Sequence, residues 1–220
     1  HRYILGLYEF MEKLTQAYPH ILFESCSGGG GRYDAGMLYY MPQTWTSDNT
    51  DPIARLKIQY STSLVYPIST MGAHVSAIPN HQTGRETSLD IRGNVAMSGV
   101  LGYELDLTTL SEEEKVLIVK QVDFYKEHRQ LLQFGDFVRL KSPYEENEVA
   151  WMFVSKDKKE AIVFYFRVLV EASAPYVTLK LAHLDETLEY QIANHVISGD
   201  ALMNIGMYID PKLHGDYATQ

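Results

Sequence analysis

Strand-like and helical patterns alternate along the chain as far as Leu131. Apolar residues at helical spacing predict a first helix from Arg2 to Tyr18, which Pro19 ends. The runs that follow are predicted, in chain order, as a strand at Ile21–Cys26, a short run at Trp45–Asn49, a helix at Ile53–Leu64, a strand-to-loop unit at Pro67–Ser76, a helix at Ser88–Ser98, a strand at Val100–Leu105 and a helix at Ser111–Leu131. Regular alternation of this kind predicts a parallel sheet covered by helices.

The pattern changes near Phe134, where short strand-like runs replace the alternation. These runs are Phe137–Leu140, Val149–Val154, Glu160–Val170, Tyr176–Leu181, Leu188–Ile192 and Leu202–Met207. They predict an antiparallel β-sandwich, with the boundary between the two parts at residues 132–136.

Two helices begin with clear local signals. Asp51 followed by Pro52 is typical of an N-cap and the first helical position. Ser111, with Glu114 three residues later, predicts a capping box at the start of the long helix.

Composition excludes several classes of protein. Hydrophobic residues make up 45% and charged residues 21%, which is typical of a folded globular protein. A net charge of −9 without a basic stripe argues against nucleic-acid binding. One cysteine excludes an internal disulfide framework and favours a reducing compartment, although an exported bacterial enzyme could also lack disulfides. The sequence shows neither an apolar run long enough to cross a bilayer nor a signal peptide.

Polar groups follow two of the predicted strands at their C-terminal ends, within Ile21–Asn49. The apolar run Ile21–Phe23, predicted to be buried, leads into Cys26 and the glycines Gly28–Gly31. The run beginning at Trp45 leads into Asp48 and Asn49. In parallel α/β folds ligands bind at this edge of the sheet, so these two segments form the candidate site.

The four glycines allow positive φ and close approach of the backbone to a ligand hydroxyl or anion. A phosphate-binding loop is excluded, because the required lysine is missing, and the G-x-G-x-x-G spacing of dinucleotide-binding proteins is missing too. A flexible surface loop remains the plain alternative.

Cys26 and Asp48 are the residues with reactive side chains in the candidate site. A catalytic thiol needs a nearby imidazole, and His20 precedes the same strand and is expected at its other end. Cys26 is therefore interpreted as a packed or weakly hydrogen-bonding thiol beside a ligand. We expect Asp51 to cap the helix and Asp48 to be free for acid–base chemistry, although both could serve as caps. His74 and His81 form no recognisable metal motif.

Long stretches of the chain resemble one enzyme family. The region from His1 to Pro67, with C-S-G-G-G-G-R at Cys26–Arg32 and W-T-S-D-N-T-D at Trp45–Asp51, resembles the microbial α-galactosidases of glycoside hydrolase family 36. Gly72–Ser76 and Ser198–Gly206 agree as well. The resemblance covers essentially the whole chain and corresponds to the C-terminal portion of such an enzyme.

The resemblance implies an α/β fold followed by an all-β fold. Residues 1–133 would be the C-terminal half of a (β/α)₈ barrel, from helix four to helix eight, with barrel strands five to eight at Ile21–Cys26, Trp45–Asp48, Ser69–Val75 and Val100–Glu104. Residues 134–220 would be a β-sandwich domain without its last strand, which in the family follows the Asp210–Asp216 region. The chain opens on His1 within a helical pattern, so we expect a fragment lacking its N-terminal part.

The resemblance also implies a reaction and a set of site residues. Family members are retaining hydrolases of terminal α-galactosides such as melibiose, raffinose and stachyose, and they use two carboxyl groups roughly 5 Å apart. The resemblance makes Asp48 the proton donor and acid/base. The other residues implied as substrate-binding are Cys26, Ser27, Gly28, Gly29, Arg32, Trp45 and Asn49. The family's nucleophile lies in a K-W-D-x-N segment that does not occur here, so the fragment alone is expected to be inactive.

The remaining expectations concern partners and location. We expect no cofactor, no metal, and no membrane or nucleic-acid partner. The resemblance implies a homo-oligomer such as a tetramer and assembly with the remainder of the enzyme chain, and the expected location is cytoplasmic. Two alternatives stay open: a non-catalytic carbohydrate-binding or assembly module, and another family-36 activity such as α-N-acetylgalactosaminidase or raffinose synthase.

Overall fold

The computed structural model describes residues 1–173, 176–209 and 215–220 of the chain. Its helices are α1 (Arg2–Ala17), α2 (Ala35–Tyr40), α3 (Pro52–Thr62), α4 (Leu89–Met97), α5 (Glu112–Phe134) and α6 (Gly199–Asn204), with 3₁₀ turns at Ile68–Thr70 and Leu107–Thr109. Its strands are β1 (Glu24–Ser25), β2 (Gln43–Trp45), β3 (Met71–Ser76), β4 (Val100–Glu104), β5 (Asp136–Lys141), β6 (Glu148–Val154), β7 (Ala161–Arg167), β8 (Thr178–Leu179), β9 (Glu189–Ile192), β10 (His195–Ser198), β11 (Met207–Tyr208) and β12 (Ala218–Thr219).

The first four strands form one sheet in the order β1-β2-β3-β4, and every pairing in it is parallel. Helices lie between successive strands along the chain, as parallel neighbours require. The parallel α/β sheet predicted for this part of the chain is confirmed.

The two faces of the parallel sheet differ in chemistry. Met71, Ala73 and Val75 on β3 are buried against residues of α4 and α5, so this face carries the apolar core. Because alternate residues of a strand point to opposite sides, the other face carries polar groups and an indole. The strand register places on that face Glu24, Gln43, Trp45, His74 and Glu104.

The expectation of a buried strand at Ile21–Phe23 is wrong. Only Glu24 and Ser25 pair with β2, Ile21 is 44% exposed, and Leu22 is 88% exposed. The reason is that β1 is the edge of the sheet, with β2 as its one neighbour among the described residues. Helix α1, which precedes this edge, likewise exposes large apolar side chains, including Tyr3, Leu5 and Phe10.

The predicted helix starts are confirmed. Asp51 caps α3, accepting a hydrogen bond from the Ile53 amide, and Pro52 is the first helical residue. The capping box at the start of α5 is complete, since the Ser111 hydroxyl accepts from the Glu114 amide and the Glu114 carboxylate accepts from the Ser111 amide.

The second part of the chain is antiparallel, as predicted. A four-stranded sheet has the order β12-β7-β6-β5, and two small ribbons pair β9 with β10 and β8 with β11. The strand expected at Leu202–Met207 is mostly wrong, because residues up to Asn204 belong to α6, which Ser198 caps. Of the Asp210–Asp216 region, residues 210–214 lie outside the described part of the chain, and β12 follows that region and pairs with β7.

The parallel and antiparallel parts share one core. A single cluster of buried residues joins Leu56 and Met71 of the first part to Phe153 and Phe166 of the second. The indole of Trp151 on β6, fully buried, donates a 2.8 Å hydrogen bond to the Ser98 hydroxyl at the end of α4. Among the described residues, no helix is both long enough and apolar enough to cross a membrane.

Replacing Ser98 by alanine should destabilise the protein by about 1–3 kcal/mol, because the buried indole N–H then lacks an acceptor. Denaturation curves followed by circular dichroism would measure this loss. Trp151→Phe removes the same bond from the other side, so the double variant should lose less than the sum of the two single variants. Strictly additive losses would show that the bond contributes nothing.

Candidate active site

The glycine loop is a tight turn that starts one residue after Cys26. Gly28, Gly29 and Gly30 all have positive φ, at 57°, 70° and 92°. The Gly31 amide donates to the Ser27 carbonyl at 2.9 Å, which closes the turn. This left-handed backbone is the conformation that only glycine adopts readily, so the local geometry favours glycine at three of the four positions, Gly28 to Gly30.

The loop presses against the turn that follows β2. A Cβ atom placed on Gly29 would lie 2.7 Å from the backbone nitrogen of Asp48 and 3.2 Å from its Cγ. A Cβ atom on Gly30 would lie 2.7 Å from the Thr46 carbonyl oxygen. The structure therefore brings together the two segments that the sequence singled out, and it does so at the carboxyl ends of neighbouring parallel strands.

Asp48 and Asp51 have different surroundings. The Asp51 carboxylate is buried, caps α3 and forms an ion pair with Arg85. Asp48 is exposed, and its carboxylate has no hydrogen bond or ion pair with the residues that the structure describes. The expectation that Asp51 caps the helix is confirmed, and the Asp48 carboxylate is available to a ligand.

Of the remaining residues near the loop, one has an exposed side chain and two have side chains in hydrogen bonds to other parts of the chain. Cys26 is an exposed, free thiol. The Asn49 side chain accepts from the Asp51 amide at 3.0 Å, so it stabilises the turn. Arg32 reaches away toward α1, where it donates to the Tyr3 hydroxyl at 3.3 Å.

Trp45 is held by residues that the sequence analysis did not select. Its ring centre lies 4.4 Å from that of His74 on β3 and 4.9 Å from the guanidinium carbon of Arg55 on α3. The Nδ1 atom of His74 lies 3.5 Å from a carboxylate oxygen of Glu104. Trp45, His74 and Glu104 share the polar face of the parallel sheet, and the alternation of residues along β3 and β4 could have identified them.

Arg55 is the most unusual member of this group. It is 2% exposed, and none of its guanidinium nitrogens has a hydrogen-bond partner among the described residues. Burial lowers the pKa of the guanidinium to about 10. Within the described ranges, no group of three or more His, Cys, Asp and Glu side chains could hold a metal ion.

Two family models match the chain. The melibiase model matches residues 1–135, and the model of the glycosyl hydrolase family 36 C-terminal domain matches residues 148–220.

Curated relatives and solved structures match over the whole chain. The chain is 65% identical to α-galactosidase AgaA of Geobacillus stearothermophilus and 60% identical to α-galactosidase 1 of Pediococcus pentosaceus, in each case over 100% of this chain and 30% of the relative. Crystal structures of Geobacillus stearothermophilus AgaA variants in complex with raffinose and with stachyose superpose with TM-scores of 0.98, at 61% and 62% identity, covering 100% of this chain and 31% of theirs. The chain thus spans about 30% of the length of the curated relatives it matches.

Proposed function

Because the chain belongs to the melibiase family, glycosyl hydrolase family 36, we propose that it is the C-terminal part of a retaining α-galactosidase. The observation that carries this proposal is the contact of the glycine loop with the Asp48 turn, within a chain whose relatives are α-galactosidases. The substrates we propose are terminal α-galactosides of the raffinose and stachyose type, the sugars bound in the related crystal structures.

We propose that β1 to β4 are strands five to eight of a (β/α)₈ barrel in residues 1–133. Three features support this assignment: the parallel pairing in chain order, the helices between strands, and a sheet with one apolar and one polar face. Barrel interiors next to the active site carry such polar groups at the carboxyl ends of the strands. Residues 134–220 would form the β-sandwich domain that follows the barrel.

Asp48 is the proposed proton donor. In the first step its carboxyl proton passes to the glycosidic oxygen while a second carboxylate attacks the anomeric carbon, so the bond from that carbon to the leaving oxygen breaks. The Asp48 carboxylate then accepts a proton from water, whose oxygen attacks the galactosyl ester and releases galactose. The second carboxylate must come from outside these 220 residues, because no K-W-D-x-N segment is present in them.

The glycine loop is the proposed clamp for the galactose ring. Gly28 is exposed and Gly29 is half-buried against the Asp48 turn, and Cys26 and Ser27 immediately precede them in the chain. Backbone N–H groups in such a turn suit sugar hydroxyls, which are neutral acceptors. Trp45 is proposed as a wall of the pocket. Asn49 acts through the turn it stabilises, and Arg32, bound to Tyr3, is the weakest member of the substrate-binding set.

The full-length enzyme should hydrolyse an aryl α-galactoside with retention of configuration, whereas the 220-residue chain alone should not. The reason is that the chain supplies one of the two carboxyl groups the reaction needs. With a nitrophenyl α-galactoside as substrate, release of nitrophenol would measure hydrolysis. Proton NMR of the first-formed galactose anomer would measure retention of configuration. Turnover by the purified 220-residue chain would contradict the proposed division of the site.

The alternative functions give different outcomes in the same preparations. Tight calorimetric binding of galactose by the isolated chain would favour a carbohydrate-binding module. Faster release of N-acetylgalactosamine, or transfer of galactose to sucrose, would favour the other family-36 activities. We also propose that the enzyme is cytoplasmic and oligomeric.

A further inference from the structure

The Asp48 turn is built from a chain of short side-chain to backbone hydrogen bonds. The Ser47 hydroxyl accepts from the Asn49 amide at 3.1 Å, and the Asn49 side chain accepts from the Asp51 amide at 3.0 Å. The Asp51 carboxylate accepts from the Ile53 amide at 3.4 Å, at the start of α3. Because each bond joins residues two apart, the backbone path through Asp48 depends on where Asp51 is anchored.

Arg85 is the anchor of Asp51. The Asp51 carboxylate is 1% exposed and forms an ion pair with the Arg85 guanidinium, which belongs to the loop between β3 and α4. A buried carboxylate that loses its countercharge is strongly destabilising. Without Arg85 the turn would have to open to bring water to this carboxylate, and Asp48, three residues earlier, would move with it.

The C-terminal segment of the chain supplies an aromatic face for Arg85. The guanidinium carbon lies 5.2 Å from the ring centre of Tyr217, within the range of a cation–π contact. Tyr217 is half-buried and immediately precedes β12. Thr219 on that strand accepts a 3.0 Å hydrogen bond from the side chain of Asn94 on α4. Arg85 therefore lies between the buried Asp51 carboxylate and a ring that is tied to the antiparallel part of the chain.

A second link joins the same two loops without replacing the ion pair. The Asn80 side chain donates to the Thr50 hydroxyl at 3.1 Å, and the Ser76 hydroxyl donates to the Thr50 carbonyl at 3.4 Å. Both bonds hold the residue before Asp51, but an amide and a hydroxyl bring no positive charge. Within the part of the chain that the structure describes, Arg85 supplies the cation that pairs with Asp51.

We propose that Arg85 is a positioning residue for Asp48: by pairing with the buried Asp51 while its face lies on Tyr217, it fixes the turn that carries the proposed proton donor. This proposal rests on the proposed function. A planar guanidinium can pair with a carboxylate at its edge and pack on an aromatic ring with its face. Proton transfer needs hydrogen-bond reach to the leaving oxygen, so a small displacement of Asp48 lowers the rate without weakening sugar binding.

The test is the kinetics of Arg85→Gln in the full-length enzyme. We expect kcat on melibiose to fall about 100-fold while KM changes little. Galactosides with strongly acidic phenol leaving groups need little protonation, so the pre-steady-state rate of their glycosylation step should change far less. An unchanged kcat, or an equal loss across all leaving groups, would overturn the proposal.

Arg139→Gln is the matched control. Arg139 is also half-buried, its guanidinium carbon lies 5.9 Å from the ring centre of Tyr60, and it donates at 3.2 Å to the hydroxyl of Ser63, at the other end of α3. Its replacement should disturb the packing of α3 and leave kcat unchanged. The same loss of kcat in both variants would show that Arg85 acts through general stability alone, and would overturn the proposal.

A readout without substrate separates this proposal from the proposed function. Amide deuterium exchange across residues 47–53, followed by mass spectrometry, should be faster in Arg85→Gln than in the wild type and unchanged in Arg139→Gln. Unchanged exchange in Arg85→Gln would overturn the role of Arg85, even in an active enzyme. A wild-type enzyme without activity on α-galactosides would instead refute the proposed function.

A conservative variant covers the case in which Arg85→Gln does not fold. Arg85→Lys keeps a cation opposite Asp51 but has no planar face for Tyr217. Its kcat on melibiose should fall by less than about 100-fold, with the same dependence on the leaving group. Wild-type rates for every leaving group, or a uniform loss, would overturn the proposal.

Discussion

Asp48→Asn in the full-length enzyme is expected to lower kcat by about 100- to 10,000-fold on melibiose or raffinose. Asparagine keeps the size of the side chain but has no proton to give to the leaving oxygen. Galactosides with strongly acidic phenol leaving groups need little protonation, so their glycosylation step should be affected far less. Pre-steady-state rates for a series of aryl galactosides would measure this dependence on the leaving group.

Asp157→Asn is the matched control. Asp157 is an exposed carboxylate in the turn after β6, bonded to the Ser155 hydroxyl, and its replacement should leave kcat unchanged. An equal loss for Asp48→Asn across all leaving groups would argue against proton donation and for a purely structural role.

Gly29→Ala is expected to lower kcat/KM by about 100-fold while the protein still folds. The new methyl group would lie 2.7 Å from the Asp48 backbone nitrogen, so the Asp48 turn or the glycine loop must move. Either movement separates the proposed proton donor from the proposed sugar clamp. Steady-state kinetics with melibiose, together with circular dichroism, would separate the loss of activity from unfolding.

Gly84→Ala separates backbone strain from steric contact. Gly84 has a φ of 66°, close to the 70° of Gly29, but a Cβ atom there meets no heavy atom within 4 Å. Both substitutions should cost roughly 1–2 kcal/mol of stability from the left-handed backbone. Only Gly29→Ala should lose activity. A similar loss of activity in both variants would show that the contact with Asp48 is not the cause.

The parts of the fold that could be predicted are those encoded locally. The caps at Asp51 and Ser111 depend on side chains within three residues of the amides they satisfy, so sequence alone identifies them. The exposure of Ile21 and Leu22 depends on which neighbours flank β1, and an apolar run does not carry that information. Helix α6 had a local signal, the Ser198 cap with Asp200 in the first turn, which the apolar run at Leu202–Met207 obscured.

The candidate site likewise combines features that the sequence predicts with features that depend on tertiary packing. Strand ends in a parallel sheet meet at one edge, so the closeness of Gly29 and Asp48 followed from the pattern of apolar runs and polar ends. The sequence could not identify Arg55 as a residue of the site, because a cation near the start of a helix is usually solvated. Its burial against Trp45 arises from tertiary packing between α3 and the sheet.

The bond between Trp151 and Ser98 bears on how members of this family can change during evolution. The antiparallel part is not an independent module, since its largest buried side chain is seated in the helical layer of the parallel part. Recombination near Gly135 would therefore join surfaces that had not been selected together. A successful exchange of the antiparallel part between family members has to carry the complementary residues of α3 and α4 along with it.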